Sequence, residues 1–97
     1  MNSTILSGHL VATPVLKSND NGHSYTYFTI AVYRNKDVTY FIDCVAFDEV
    51  AEYLCEAGSK GSRVELTGML EVKPSKDSKY AKEAKVIVNT ATVLAKK

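Results

Sequence analysis

With 97 residues the chain has room for one domain, and 45% apolar against 24% charged residues is the composition of a compact core under a solvated surface. Twelve Lys+Arg against eleven Asp+Glu leave a net charge of +1, which excludes a polycation that coats nucleic acid by bulk charge; any such binding must come from one local surface. Apolar runs are only a few residues long and no basic segment precedes one at the N-terminus, so the expectation is a soluble, intracellular protein without signal peptide or membrane span.

In chain order, Thr4 to Val15 is rich in branched apolar residues and predicts a strand, with Gly8 marking a bulge or bend inside it. Ser18-Asn19-Asp20-Asn21-Gly22 is turn chemistry, because Asn, Asp and Gly tolerate positive φ, and it predicts a hairpin. From Tyr25 to Tyr33 the residues alternate. Tyr25, Tyr27, Thr29, Ala31 and Tyr33 take one face; Thr26, Phe28, Ile30 and Val32 take the other. After the polar loop Arg34-Asn35-Lys36-Asp37, Thr39 to Phe47 repeats the pattern, with Phe41, Asp43, Val45 and Phe47 on one face and Tyr40, Ile42, Cys44 and Ala46 opposite.

Asp48 is placed to cap a helix whose first turn carries Glu49 and whose Val50, Ala51 and Leu54 recur at helical spacing, ending by Gly58 or Gly61. A further strand puts Val64, Leu66, Gly68, Leu70 and Val72 on one side, Lys73 to Lys79 reads as a loop, and a last strand runs from about Tyr80 to Leu94. Three strands, one helix and two strands form the order of the OB-fold, an all-β five-stranded Greek-key barrel with the helix between its third and fourth strands, as a single domain over residues 1–97. SH3-like barrels and partial sandwiches share parts of that order.

Catalytic chemistry finds little support. His9 and His23 have no nucleophile motif beside them, the carboxylates form no acid/base pair, and no glycine-rich phosphate loop is present. Cys44 and Cys55 lack metal-ligand spacing and read as core-filling residues. The expectation is a protein that is not an enzyme and holds no cofactor or metal.

Charge and rings are distributed unevenly. Residues 1–59 carry a net −4 and residues 60–97 a net +5. Lys73, Lys76, Lys79, Lys82 and Lys85 recur along the final hairpin, which is either a phosphate-contacting arm or simply a solvated one. If Phe28, Ile30, Ile42 and Cys44 fill the barrel, then Tyr25, Tyr27, Tyr33, Phe41 and Phe47 lie outside it. Exposed rings flanked by Lys are what single-stranded nucleic acid uses for stacking and backbone tracking, although some could instead line a subunit interface.

Ile5-Leu6-Ser7-Gly8-His9-Leu10 followed by Pro14 resembles the I-L-x-G-x-L-x-x-x-P opening of the bacterial single-stranded DNA-binding protein family. Phe28-Thr29-Ile30-Ala31, Val45-Ala46-Phe47, Lys60-Gly61-Ser62-Arg63-Val64, Gly68-Met69-Leu70 and Val88-Asn89 follow in that family's order at nearly ungapped spacing. By this resemblance Phe47 stands for a base-stacking Phe, Phe41 for a base-stacking Trp, and Lys60 and Lys73 for basic positions of the DNA path. Departures accompany it: there is no Trp, Lys36 and Ser75 stand at or near the other Trp sites, and Asp43 puts a carboxylate where the family commonly has a basic or polar residue.

Together these readings predict sequence-independent single-stranded DNA binding in replication, recombination or repair, in the cytoplasm with the nucleoid. The candidate contacts are Tyr27, Tyr33, Arg34, Lys36, Phe41, Phe47, Lys60, Lys73, Lys76, Lys79, Tyr80 and Lys82. The resemblance also implies a homodimer or homotetramer, paired through the first strand at Ile5 and Leu6, with replication or primosome proteins as further partners. The family's Gly/Gln/Pro-rich tail with its acidic tip is not found after Ala95-Lys96-Lys97. That points to a truncated, phage or plasmid version, or to an adaptor like primosomal replication protein N. A protein-interaction OB module with weak DNA binding is the rival from another class.

Overall fold

The computed structural model describes residues 1–75 and 78–95, with side chains described for 1–74 and 83–94. Its elements are β1 (Thr4–Leu10), β2 (Lys17–Ser18), β3 (Ser24–Asn35), β4 (Val38–Phe47), α1 (Asp48–Ala57), β5 (Arg63–Ser75) and β6 (Ser78–Ala95). The strands follow the order β1-β5-β6-β4-β3-β2, and β1 also pairs with β3, which closes the five long strands into a barrel. All pairings are antiparallel except β4 with β6, joined in parallel at Cys44↔Val86 and Val45↔Ile87. This is the expected OB-fold. The two-residue β2, paired with the start of β3, is the one added strand, so the helix follows the fourth strand by count.

Closure depends on β1 serving two neighbours. Thr4 to His9 pair with β5, while His9 and Leu10 pair with β3. The crossing is tight at Gly8, where an added Cβ would stand 2.6 Å from the carbonyl oxygen of Ala31. Beyond Leu10 the chain leaves the sheet, contrary to the strand expected up to Val15. The Leu10 N–H donates to Ser62 and the Leu10 carbonyl accepts from Gly61, Pro14 offers no N–H, and Val11 and Val15 stay exposed.

Inside the barrel lie Leu10, Phe28, Ile30, Cys44, Ala46, Val64, Leu66, Val86 and Val88, joined by Ala51 and Leu54 from α1. Fully burying a side chain such as Leu54 contributes about 1.5–3 kcal/mol. The inner face of β5 is shorter than its alternation suggests. Val64 and Leu66 are buried but Leu70 and Val72 are exposed, because the β5–β6 ladder shifts register between Thr67 and Gly68 and continues past the barrel as a two-stranded arm. Lys73, Pro74 and Ser75 therefore belong to a strand rather than a loop.

Asp48 does not cap α1 as expected. Phe47 holds the N-cap position without a side-chain bond, and Asp48 adopts φ 51° with its Oδ1 3.2 Å from His23 Nδ1. The carboxylate ties the helix start to the β2–β3 hairpin, while Asp48 and Glu49 still lie in the first turn, where the helix dipole favours negative charge. Among the described residues no helix is long and apolar enough to cross a membrane.

Burial, with a smaller contribution from the neighbouring Asp43, pushes the Cys44 thiol from its ordinary 9.0 up to about 12. Iodoacetamide at pH 8 is expected to modify half-buried Cys55 in the native protein and to reach Cys44 only on unfolding, as peptide mass mapping would reveal. Above pH 9 the unfolded chain gains an ionisation that the folded chain resists until about 12, so this group lowers stability across that window.

Candidate functional site

The antiparallel register of β3 and β4 sets the outer face of the barrel in rows. Tyr25 opposes Phe47, Tyr27 opposes Val45, Thr29 opposes Asp43, Ala31 opposes Phe41 and Tyr33 opposes Thr39. The inward partners Thr26, Phe28, Ile30, Cys44 and Ala46 are buried, so the pleat drives the rings outward. Phe41 is 67% exposed, Tyr33 61%, Tyr27 60% and Phe47 45%. Val45 departs from this pattern: it is buried although its parity is outward, because β6 joins β4 there and brackets it between Tyr27 and Ile87 in the register.

Several rings are braced. Tyr25 meets Tyr27 edge-on, with centroids 5.7 Å apart, and His9 tilts against Tyr33 at 5.6 Å. Directly opposite Phe41 is Ala31, whose small side chain leaves the ring uncovered. Thr29 donates its hydroxyl to Asp43 Oδ1 at 2.9 Å, in the middle of the aromatic row.

Beside this face stands the β5–β6 arm. β4 and β6 pair only at two positions and then diverge, which opens a groove of ≈ 590 Å³ between Tyr27, Thr29 and Asp43 on one side and Glu71, Lys73, Glu83 and Lys85 on the other. Glu71 sits between two cations, 3.6 Å from Lys73 Nζ and 3.4 Å from Lys85 Nζ. Lys85 also lies over the Tyr27 ring, 5.6 Å from its centroid, a cation–π distance. Tyr27 thus joins the ring-bearing face to the charged arm across one open cleft.

The structure brings Tyr27, Tyr33, Phe41 and Phe47 onto one face and sets Lys73 across the groove. Arg34 has the opposite parity and donates Nη1 to the Tyr40 hydroxyl at 3.0 Å, away from the rings. Lys36 is exposed in the β3–β4 turn, and Lys60 is exposed in the turn before β5, where its backbone N–H donates to Thr13 Oγ1. Lys76 and the side chains of Lys79, Tyr80 and Lys82 lie outside the described residues. Of the two expected interface residues, Ile5 is exposed while Leu6 turns inward against the core cluster.

Residue types and alternation alone do not single out Glu71, Glu83 and Lys85 as site residues. The sequence signal that existed was Lys85 in the lysine series of the last hairpin. Its pairing with Glu71 and its reach to Tyr27 depend on the β5–β6 register, which the unforeseen length of β5 sets.

The sequence matches the model of the single-strand binding protein family over residues 1–94. A protein of Fusobacterium nucleatum subsp. nucleatum named single-stranded DNA-binding protein is 35% identical over 101 residues, covering 96% of this chain and 62% of that protein. One of the same name from Clostridium perfringens is 34% identical over 71 residues, covering 70% of this chain and 47% of that protein. The chain thus spans less than two thirds of the length of these curated relatives.

Proposed function

The chain belongs to the single-strand binding protein family, and on that premise we propose that it binds single-stranded DNA without reading a defined sequence. The observation that carries this is the row of outward rings at Tyr27, Tyr33, Phe41 and Phe47, with Lys73 and Lys85 lining a groove against Tyr27 at one end of that row. Bases stack on rings for about 1–3 kcal/mol each, and cations along the path displace counterions from phosphate. Lys36, Lys60, Lys76, Lys79, Tyr80 and Lys82 extend the path, and Arg34 joins it by releasing Tyr40. The role is binding rather than catalysis, needs no cofactor, and serves replication, recombination or repair in the cytoplasm. Two or four copies would assemble through β1, whose Ile5 is 78% exposed on a strand that is unpaired along part of one edge.

The direct test is fluorescence anisotropy of labelled oligo-dT at two salt concentrations, with duplex of equal length as competitor. Binding is expected to weaken with salt and to survive the duplex. Lys73→Gln and Lys85→Gln should each reduce the slope of log affinity against log salt by about 0.7, the value for one single-strand phosphate contact. Salt-independent binding, or equal preference for duplex, would turn the reading towards a protein-interaction module.

A further inference from the structure

Asp43 is the feature the stacking account leaves unexplained. A carboxylate in a phosphate path repels the ligand, yet here one stands exposed in the centre of the aromatic row. It is also held in place. Thr29, directly opposite, donates to Oδ1 at 2.9 Å, and among the described residues no ion pair reaches the carboxylate. Lys85 lines the same groove but is engaged by Glu71 and the Tyr27 ring. Phe41 lies two residues away on the same face of β4, about 7 Å along the strand. Tyr27 is two residues from Thr29 on β3, so Asp43 lies between two stacking rings.

From this placement we infer that Asp43 reads the edge of a stacked base and tilts the protein towards guanine and away from thymine. The inference rests on the single-strand reading above and deepens it. An ionised carboxylate only accepts hydrogen bonds. Guanine presents two adjacent donors on its Watson–Crick edge, N1–H and the N2 amino group, which match two carboxylate oxygens. Cytosine and adenine each offer one amino donor beside an acceptor nitrogen. Thymine offers one N3–H between two carbonyl oxygens, both of which face the carboxylate unfavourably. Unstacked bases in single strands expose these edges to side chains next to the rings. Thr29 fixes the carboxylate, so little orientation is lost on contact. The negative charge then serves the base side of the strand and leaves the phosphates to the lysines.

The experiment compares labelled oligo-dT with alternating dG/dT and alternating deoxyinosine/dT strands of equal length, inosine lacking the N2 amino donor. The wild-type protein should bind the dG/dT strand about fivefold more tightly than oligo-dT, within the range a bidentate base contact gives, with the inosine strand between them. Asp43→Ala should erase that preference while binding oligo-dT at least as tightly as wild type. Thr29→Val keeps β-branched shape and the charge but loses the hydroxyl, and should shrink the preference. Equal wild-type affinities for the three strands, or a guanine preference that survives Asp43→Ala, overturns the inference and leaves the single-strand reading standing. Failure of the wild-type protein to bind any of the strands overturns both.

Discussion

Replacing Phe41 and Phe47 together with alanine is expected to weaken oligo-dT binding by about 30-fold or more, since each lost stacking contact costs at least about 1 kcal/mol. Both rings stand on the outer face of β4, and neither belongs to the core cluster, so the double variant should keep the barrel. Phe47 is the more delicate of the two because it precedes α1 and opposes Tyr25, so far-ultraviolet circular dichroism and a melting curve accompany the binding assay. The loss should sit in stacking rather than in charge. The salt slope should therefore stay near the wild-type value while the affinity drops at every salt concentration. Tyr27 and Tyr33 remain, so residual binding is expected. Unchanged affinity in a folded double variant would move the bases off β4 and onto β3.

What the sequence could reveal followed from periodicity. Alternation in β3 and β4 told inward from outward residues correctly for Phe28, Ile30, Cys44 and Ala46 against Tyr27, Tyr33, Phe41 and Phe47, because a pleat has a fixed period of two. Alternation says nothing about what lies on the next strand. Val45 is outward by parity yet buried, since β6 runs beside it, and Leu70 and Val72 are inward by parity yet exposed, since the barrel ends before they do. Asp48 has the residue type of a cap, but its positive φ and the nearby His23 decide otherwise. The same limit governs the site. Rings and lysines were visible as residue types, whereas the Glu71 bridge, the Lys85 contact with Tyr27 and the Thr29 grip on Asp43 exist only through cross-strand register. Arg34 is a further case: its charge is visible as a residue type, but its bond to the Tyr40 hydroxyl at 3.0 Å, away from the ring row, follows only from the pairing of β3 with β4.

Gly68→Ala is expected to destabilise the barrel by about 3 kcal/mol, the upper part of the usual range for overpacking. Gly68 sits between two strands, paired with Thr4 of β1 and Val88 of β6, where the β5–β6 ladder shifts register. A Cβ there would lie 2.2 Å from the carbonyl oxygen of Ile87 and 3.0 Å from Val86 Cγ1. The obstacle is backbone, which cannot rotate away as a side chain can. Relief requires β5 and β6 to part at the point where the barrel is held together and where the arm departs. The cost is a large share of the roughly 5–15 kcal/mol that holds a small domain folded. Urea unfolding should register it as a lower midpoint, and Met69→Ala, one residue on at a half-exposed side chain, should stay much closer to wild type. Because Glu71, Lys73 and Lys85 all lie beyond this shift, the same variant should also displace the arm from Tyr27 and weaken oligo-dT binding in the fraction that folds. A Gly68→Ala protein as stable as wild type would mean that the two strands can separate by more than an ångström without loss, and the tight bulge would then have no part in fixing the groove.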